Sequence, residues 1–322
     1  MLLAGDVGGT KTLLGLFRPD DTRPTPVDVR AYPTRDFDSF VAMIDAFEHD
    51  TPQHLRPRAV VLGVAGPVLG RRARLTNIDW DIDADAIAAR LGTSVTLVND
   101  LEAMATGVSV LAGEELAVLQ EGQARDDGSV VVIAAGTGLG QAYLHRVNGR
   151  LRPVASEGGH ADFAARSDRE IELVRMLRER YGRAEVEQVL SGPGLINLYR
   201  FTHRGSGCPV VSDLASRGAP AQVSQAALAG RCQFCVEALR MFIDAFGAET
   251  GNLALRGVAT GGVFIGGGIA PKVLSAIRQG SFMQAFLAKD PMRDLLSRMP
   301  VRVILNPHAG LLGAAVRGCE DP

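Results

Sequence analysis

Short apolar runs separated by polar or glycine-rich turns dominate the first third of the chain. MLLAGD (1–6) predicts a strand, VGGT a turn, TLLGLFR (12–18) a second strand and DVRAYPT (28–34) a third. In FDSFVAMIDAFEHD the apolar residues Phe40, Met43, Ile44 and Phe47 recur at the spacing of one helix face. RAVVLGVAG (58–66) is continuously apolar and ends in glycine, which predicts a strand covered on both faces. DADAIAARLG opens on aspartates and closes on Gly92, the signals of a short helix. SVTLVND (94–100) reads as another buried strand, and LEAMATGVSVL as the helix after it.

The pattern then repeats. SVVVIAAGTGLGQAYLHRVNGRLRPVASEGG (129–159) again predicts a strand, a glycine turn and a strand, about 130 residues after the first such hairpin. This spacing suggests one ancestral unit used twice. Residues 167–256 read as mostly helical, with one long run through QVSQAALAGRCQFCVEALRMFIDAFGAETGNLAL. VATGGVFIGGG predicts a strand ending in glycines, RVILNP a last strand and HAGLLGAAVRG a terminal helix. At 322 residues the chain exceeds what one core usually serves, so two domains are expected. The breaks are placed near 108 and 300: a small α/β domain of 1–108 completed by 301–322, and a large one of 109–300.

Composition narrows the class. Apolar residues at 46%, charged residues at 22% and a net charge of −2 fit a globular protein with no basic excess for nucleic acid. No apolar run approaches the roughly 18 residues of a membrane span. MLLAGDVGGT lacks a charged leader, and four cysteines in so large a chain fit a reducing compartment, so a cytoplasmic location is expected. Glycine is the outlier, at 37 residues. Only Lys11, Lys272 and Lys289 are lysines, a preference for arginine with little functional content.

The glycines cluster where ligands are gripped. GDVGGTKT (5–12) lacks the Walker A spacing, and strand rather than helix follows it. It reads as a hairpin whose tip, Gly8, Gly9 and Thr10, turns backbone N–H groups toward an anion. Asp6 at its entry would repel bare phosphate, so it is expected to hold Mg²⁺ through water; taken alone, the motif reads equally as a plain glycine hairpin with an incidental aspartate. AAGTGLG (134–140) repeats the logic with Gly136, Thr137 and Gly138. Two such turns suit the β- and γ-phosphates of a nucleotide.

The order DVGGT, VND, AGTGLG and GGVFIGGG resembles the superfamily of sugar kinases, actin and heat-shock ATPases. LTNIDW (75–80), VNDLEA (98–103), SEGGHADFA (156–164), VLSGPGLINLYR (189–200), GGVFIGGGIAP (261–271) and GLLGAAV (310–316) narrow this to a close similarity to bacterial glucokinases of the hexokinase-like type. The likeness runs from residue 3 to about 316. It implies an α/β fold of the two-lobed, actin-like ATPase (ribonuclease H-like) kind, each lobe on a five-stranded sheet, with an interlobe cleft. It implies ATP and Mg²⁺ as cofactors, D-glucose as the other substrate and a homodimer.

Phosphoryl transfer to a sugar hydroxyl needs a base, and Asp100, where SVTLV opens into its helix, is the candidate; a helix-capping role is the simpler alternative. By resemblance Asn99, Asp100, Glu157, His160 and Glu187 contact the sugar. Glu185 also stands beside the last of these, but the spacing to LSGPG favours Glu187. Asn77 is a further sugar-side candidate. The ATP-binding set comprises Gly5, Asp6, Val7, Gly8, Gly9, Thr10, Gly136, Thr137 and Gly138, with Gly261 and Gly262 toward the adenosine.

Lys11-Thr12 after GGT is closer to the ROK sugar kinases and repressors. Those carry a cysteine zinc motif after their Gly-His pair, whereas here AARSDREIE follows with no cysteine. A repressor would also need a helix-turn-helix before the first strand. His203, Cys208, Cys232 and Cys235 are four possible zinc ligands, but the His203–Cys208 spacing is loose for a ligand pair, so the cysteines read as small buried apolar residues. Met241, Phe242 and Phe246 read as core or subunit contact. The alternatives to a glucose 6-kinase are a kinase for mannose or an N-acetylhexosamine, and a non-catalytic sugar sensor.

Overall fold

The structure is a computed structural model, and it describes residues 1–75, 78–206, 208, 210, 211 and 213–320. The chain divides into two compact units: residues 1–115, 147–155 and 306–322, and residues 116–146 and 156–305. The first break thus follows Glu115 rather than residue 108. Residues 301–305 belong to the second unit, because their strand pairs inside its sheet.

The first unit is built on β1 (Leu2–Val7), β2 (Lys11–Arg18), β3 (Thr25–Pro33), β4 (Ala59–Val64) and β8 (Ser94–Asn99), in the order β3-β2-β1-β4-β8. The β1–β2 hairpin is antiparallel, and β1, β4 and β8 run parallel. All six residues of β4 are buried, as its unbroken apolar run predicts. A small meander of β5 (Val68–Leu69), β6 (Arg72–Arg74) and β7 (Asp81–Asp83) sits before β8.

Helix α1 (Phe40–His49) buries Phe40, Met43, Ile44 and Phe47, with the Ser39 hydroxyl accepting from the Ala42 N–H as cap. Helix α2 (Ala84–Leu91) is capped by Asp83 and stopped by Gly92 in the left-handed conformation. Helix α3 (Asp100–Gly107) follows β8 without a loop. The core holds Leu14, Leu16, Phe47, Leu62 and Ile82, with the single tryptophan, Trp80, against it.

A second, six-stranded sheet repeats this topology, and its strands lie in the second unit save for residues 147–155. β9 (Leu116–Gln120), β10 (Val130–Ala135), β11 (Leu139–Val147), β12 (Arg150–Ser156), β13 (Gly262–Gly266) and β14 (Val301–Ile304) order as β12-β11-β10-β13-β14-β9. The first five reproduce the arrangement of the first sheet, antiparallel hairpin beside parallel strands. β9 adds an antiparallel sixth strand at the edge, one more than the resemblance implies.

The helices are α4 (Asp168–Tyr181), α5 (Gly192–His203), α6 (Ala219–Leu228), α7 (Gln233–Gly257), α8 (Leu274–Ile277), α9 (Ser281–Leu287), α10 (Arg293–Ser297) and, returning to the first unit, α11 (Ala309–Glu320). The long helical run expected over 222–255 is two helices. Gly230, at φ 64, breaks it between α6 and α7. Among the described residues, no helix is long and apolar enough to cross a membrane.

Candidate active site

In the first unit the predicted chemistry gathers at one end of the sheet. Register places Val7, Val64 and Asn99 in one row across β1, β4 and β8. Asp6 and the Gly8–Thr10 turn therefore stand at the same carboxyl-terminal edge as Asn99 and Asp100, where parallel sheets hold ligands. The turn is anchored from behind by the buried Thr34. Its hydroxyl donates to the Gly8 carbonyl at 2.7 Å and its N–H to the Thr10 carbonyl at 3.0 Å. The Thr12 hydroxyl lies 2.9 Å from that of Thr34 and donates to it. Thr10 is left exposed at the tip.

Asn99, not Asp100, caps α3. Its Oδ1 accepts from the Leu101 N–H at 3.0 Å, and its Nδ2 donates to the Gly66 carbonyl at 3.2 Å. Asp100 occupies the first helical position, and its Oδ1 also accepts from the Leu101 N–H, at 2.9 Å. Glycines bring this helix close. A Cβ on Gly63 would stand 2.8 Å from the Ala103 Cβ, and one on Gly313 of α11 only 1.7 Å from the Ala103 carbonyl oxygen.

The Asp6 carboxyl is pushed up to about 6, by burial first and then by the negative charge of Asp100, against a smaller opposing pull from Lys11. The first turn of α11 closes behind it: a Cβ on Gly310 would lie 2.9 Å from Asp6 Oδ2. A pair of carboxylates that repel one another beside a glycine turn is a hard-oxygen donor set that suits a hydrated divalent cation.

Gly5 and Val7 do not belong to the binding surface. Val7 is fully buried and its carbonyl accepts from the Ala65 N–H, while Gly5 lies inside the sheet against Leu62 and Leu14. Asn77 lies outside the described residues.

In the second unit the turn Gly136-Thr137-Gly138 is held from two sides. The Gly192 N–H at the start of α5 donates to the Gly136 carbonyl at 2.8 Å, and the Leu139 N–H donates to Glu187 Oε2 at 2.8 Å. Glu187 sits so close to the turn that a Cβ on Gly138 would meet its Oε2 at 2.6 Å. The Glu187 N–H in turn donates to the Gly159 carbonyl at 2.9 Å, which seats the SEGGH turn beside it. Glu157, His160 and Glu187 are thereby brought together with the second glycine turn.

Glu185, passed over in favour of Glu187, has its own part: its Oε2 lies 2.9 Å from His160 Nδ1. That bond raises the His160 pKa, helped by the charges of Glu187, Glu185 and Glu157 and opposed by burial. The signal is the E-x-E pair in RAEVEQV, one member of which meets the His160 ring and the other the Leu139 N–H.

The Gly261 and Gly262 expectation is overturned by register. Gly262 is level with Val130, at the amino end of β13, and Gly266 with Ala134. Gly261 and Gly262 therefore lie a full strand length from the Gly136 turn. The glycines at the turn's end of the sheet are Gly267 and Gly268. Gly267, at φ 84, would place a Cβ 2.2 Å from the Ala135 carbonyl oxygen, and Gly268 faces open space.

Comparison with known proteins agrees with these motifs. A sequence model of the family described as Glucokinase matches residues 3–320. The chain belongs to the glucokinase family. A glucokinase of Synechocystis sp. is 38% identical to it, over 99% of this chain and 98% of the relative. The crystal structure of a glucokinase from an Antarctic psychrotroph is 30% identical, with a TM-score of 0.86 and 98% of both chains covered. A ROK-family glucokinase from Streptomyces griseus, solved with glucose and AMPPNP, shares the fold at 23% identity and a TM-score of 0.65, over 98% of this chain and 97% of that one. The fold of this glucokinase-family chain is that of the actin-like ATPases.

Proposed function

We propose that this glucokinase-family chain transfers the γ-phosphoryl group of ATP to the 6-hydroxyl of D-glucose, giving glucose 6-phosphate and ADP. Asp100 is the base: its carboxylate accepts the proton of the attacking hydroxyl as that oxygen bonds to phosphorus and the bond to the ADP oxygen breaks. The observation that carries this reading is Asp100 at the head of α3, close enough to Asp6 to raise its pKa at the edge that also bears the first glycine turn. The glucokinase relative from Synechocystis sp. supports glucose as the sugar.

The backbone donors of Gly8, Gly9 and Thr10, and of Gly136, Thr137 and Gly138, take up the charge on the phosphoryl oxygens. Glu157 and His160 orient the sugar hydroxyls, with Glu185 fixing the His160 ring and Glu187 tying the sugar side to the second turn. Asp6 would hold Mg²⁺ through its waters, which would supply neutralisation of the nucleotide's charge. Four free cysteines fit work in the reducing cytoplasm.

The test is a panel of glucose, mannose and N-acetylhexosamines with coupled detection of ADP, on the parent protein and on Asp100→Asn. Glucose should be the preferred acceptor. The variant should still bind glucose while kcat drops by about 10²–10⁴-fold. A fully active Asp100→Asn, or ADP release only with another hexose, overturns the proposal.

A further inference from the structure

Away from the candidate active site, the second unit holds a cluster of metal-binding side chains. Helix α5 ends at His203, and Arg204 then adopts the left-handed conformation, φ 46, which turns the chain back toward the helix it has left. Cys208 lies on that return. Cys232 is the extended residue just before α7, and Cys235 sits in the first turn of α7. Long-range folding thus joins ligands whose spacing along the chain looks too loose to pair. His203, Cys208 and Cys235 are buried and Cys232 is half-buried.

The distances are those of a coordination shell. The Nε2 and the three Sγ atoms all lie within 4.8 Å of one another. Cys232 Sγ is 3.4 Å and Cys235 Sγ 3.9 Å from His203 Nε2, and the Cys208 and Cys235 sulfurs are 4.0 Å apart. Tetrahedral zinc, with bonds of about 2.3 Å to sulfur and 2.0–2.1 Å to nitrogen, requires S···S edges of about 3.8 Å and S···N edges of about 3.6 Å. A disulfide needs sulfurs about 2.05 Å apart, so 4.0 Å is not that bond.

The imidazole is prepared for a metal. His203 Nδ1 lies 2.8 Å from the Tyr199 carbonyl, which can only accept, so Nδ1 carries the proton and Nε2 turns its lone pair toward the thiols. The ring is stacked on Tyr199 at 3.7 Å and flanked by Phe234 at 5.3 Å, which fixes its plane. The Thr202 hydroxyl donates to the Phe234 carbonyl at 3.0 Å and so ties the end of α5 to the start of α7.

We propose that His203, Cys208, Cys232 and Cys235 bind one structural Zn²⁺ ion. Three soft thiolates and one imidazole select zinc over Mg²⁺ or Ca²⁺, and four protein ligands leave no position for a substrate. Binding releases the three thiol protons to solvent, with no change in oxidation state. The ion clasps the chain after Arg204 to α5 and α7. It thereby anchors the far end of the helix whose first N–H holds the Gly136 turn. The ligands stand clear of the stretch after Gly159-His160 where a ROK zinc motif would fall. The site stands whether or not the chain phosphorylates glucose.

The test is elemental analysis of tag-free full-length protein, purified under reducing conditions and incubated with Zn²⁺ before gel filtration. About one zinc per chain is expected. Three of the four thiols should resist an aromatic disulfide reagent until a chelator is added. Cys232→Ser and Cys235→Ser should each weaken zinc retention by at least about tenfold. Should those variants fail to fold, the parent protein reconstituted with Co²⁺ decides the matter: a thiolate-to-cobalt charge-transfer band with the visible bands of a tetrahedral S₃N site supports the proposal. A reduced, folded protein that holds no zinc, shows no such cobalt bands and exposes all its thiols overturns it. So does a Cys208–Cys235 disulfide in freshly isolated protein.

Discussion

Asp6→Asn should make the first unit more stable at neutral pH and the enzyme less active. The Asp6 carboxyl, half-buried and poorly hydrated, stands beside the charge of Asp100, so its pKa rises from the ordinary 3.8 to about 6. A group whose folded pKa lies above its unfolded one destabilises the native state wherever it is ionised. At pH 7 and above the full penalty applies, about 3 kcal/mol for that rise. As pH falls from about 6 toward 3.8 the native carboxyl takes up a proton the unfolded chain does not hold, and the penalty fades. Asparagine has nearly the same shape and no charge, so it removes the penalty.

The gain should thus be about 3 kcal/mol at pH 8 and close to nothing at pH 4. The single tryptophan, Trp80, packs in the first unit's core, so its fluorescence during urea unfolding reports on that unit. The same variant should show a lower kcat/KM for magnesium-ATP, because the donor beside the first glycine turn is lost. An Asp6→Asn protein less stable than the parent at pH 8, or one whose stability difference is equal at pH 4 and pH 8, would refute the reasoning.

Glu185→Gln should lower the His160 pKa, since the bond to Glu185 is the largest cause of its elevation; histidine proton resonances followed from pH 5 to 8 would show it, and an unmoved titration would remove Glu185 from the site. Gly313→Ala forces a methyl group into the Ala103 carbonyl. It should cost about 1–3 kcal/mol in the first unit and lower kcat, because α3 carries Asp100 at its head; thermal unfolding and steady-state rates measure the two effects together.

Much of this fold was legible in local pattern. The four apolar positions of α1 are its four buried residues, and the unbroken run of β4 is buried throughout. Both glycine hairpins stood out because a strand, a Gly-Thr-containing turn and a strand recurred in the same order. What escaped were facts of register and chain reversal. Gly261 and Gly262 and the pair Gly267 and Gly268 belong to one string, and only the pairing of β13 with β10 decides which pair shares an end with the Gly136 turn. His203 and Cys208 looked mismatched because a non-glycine residue, Arg204, takes the left-handed turn between them.

The supports of the two glycine turns explain why the duplication is visible in strands and hidden in side chains. The hairpins share topology, but each turn is braced by whatever lies behind it. In the first unit the buried Thr34, braced by the Thr12 hydroxyl, donates to the Gly8 and Thr10 carbonyls. In the second a helix N–H takes the Gly136 carbonyl, and a carboxylate takes the Leu139 N–H. A hairpin can be duplicated with its backbone intact while its bracing is rebuilt, because the turn needs only donors and acceptors of the right polarity, not particular residues. Thr34 lies in no motif and acts only through the two carbonyls it holds, while Glu185, weighed against Glu187 by spacing alone, acts through the His160 ring.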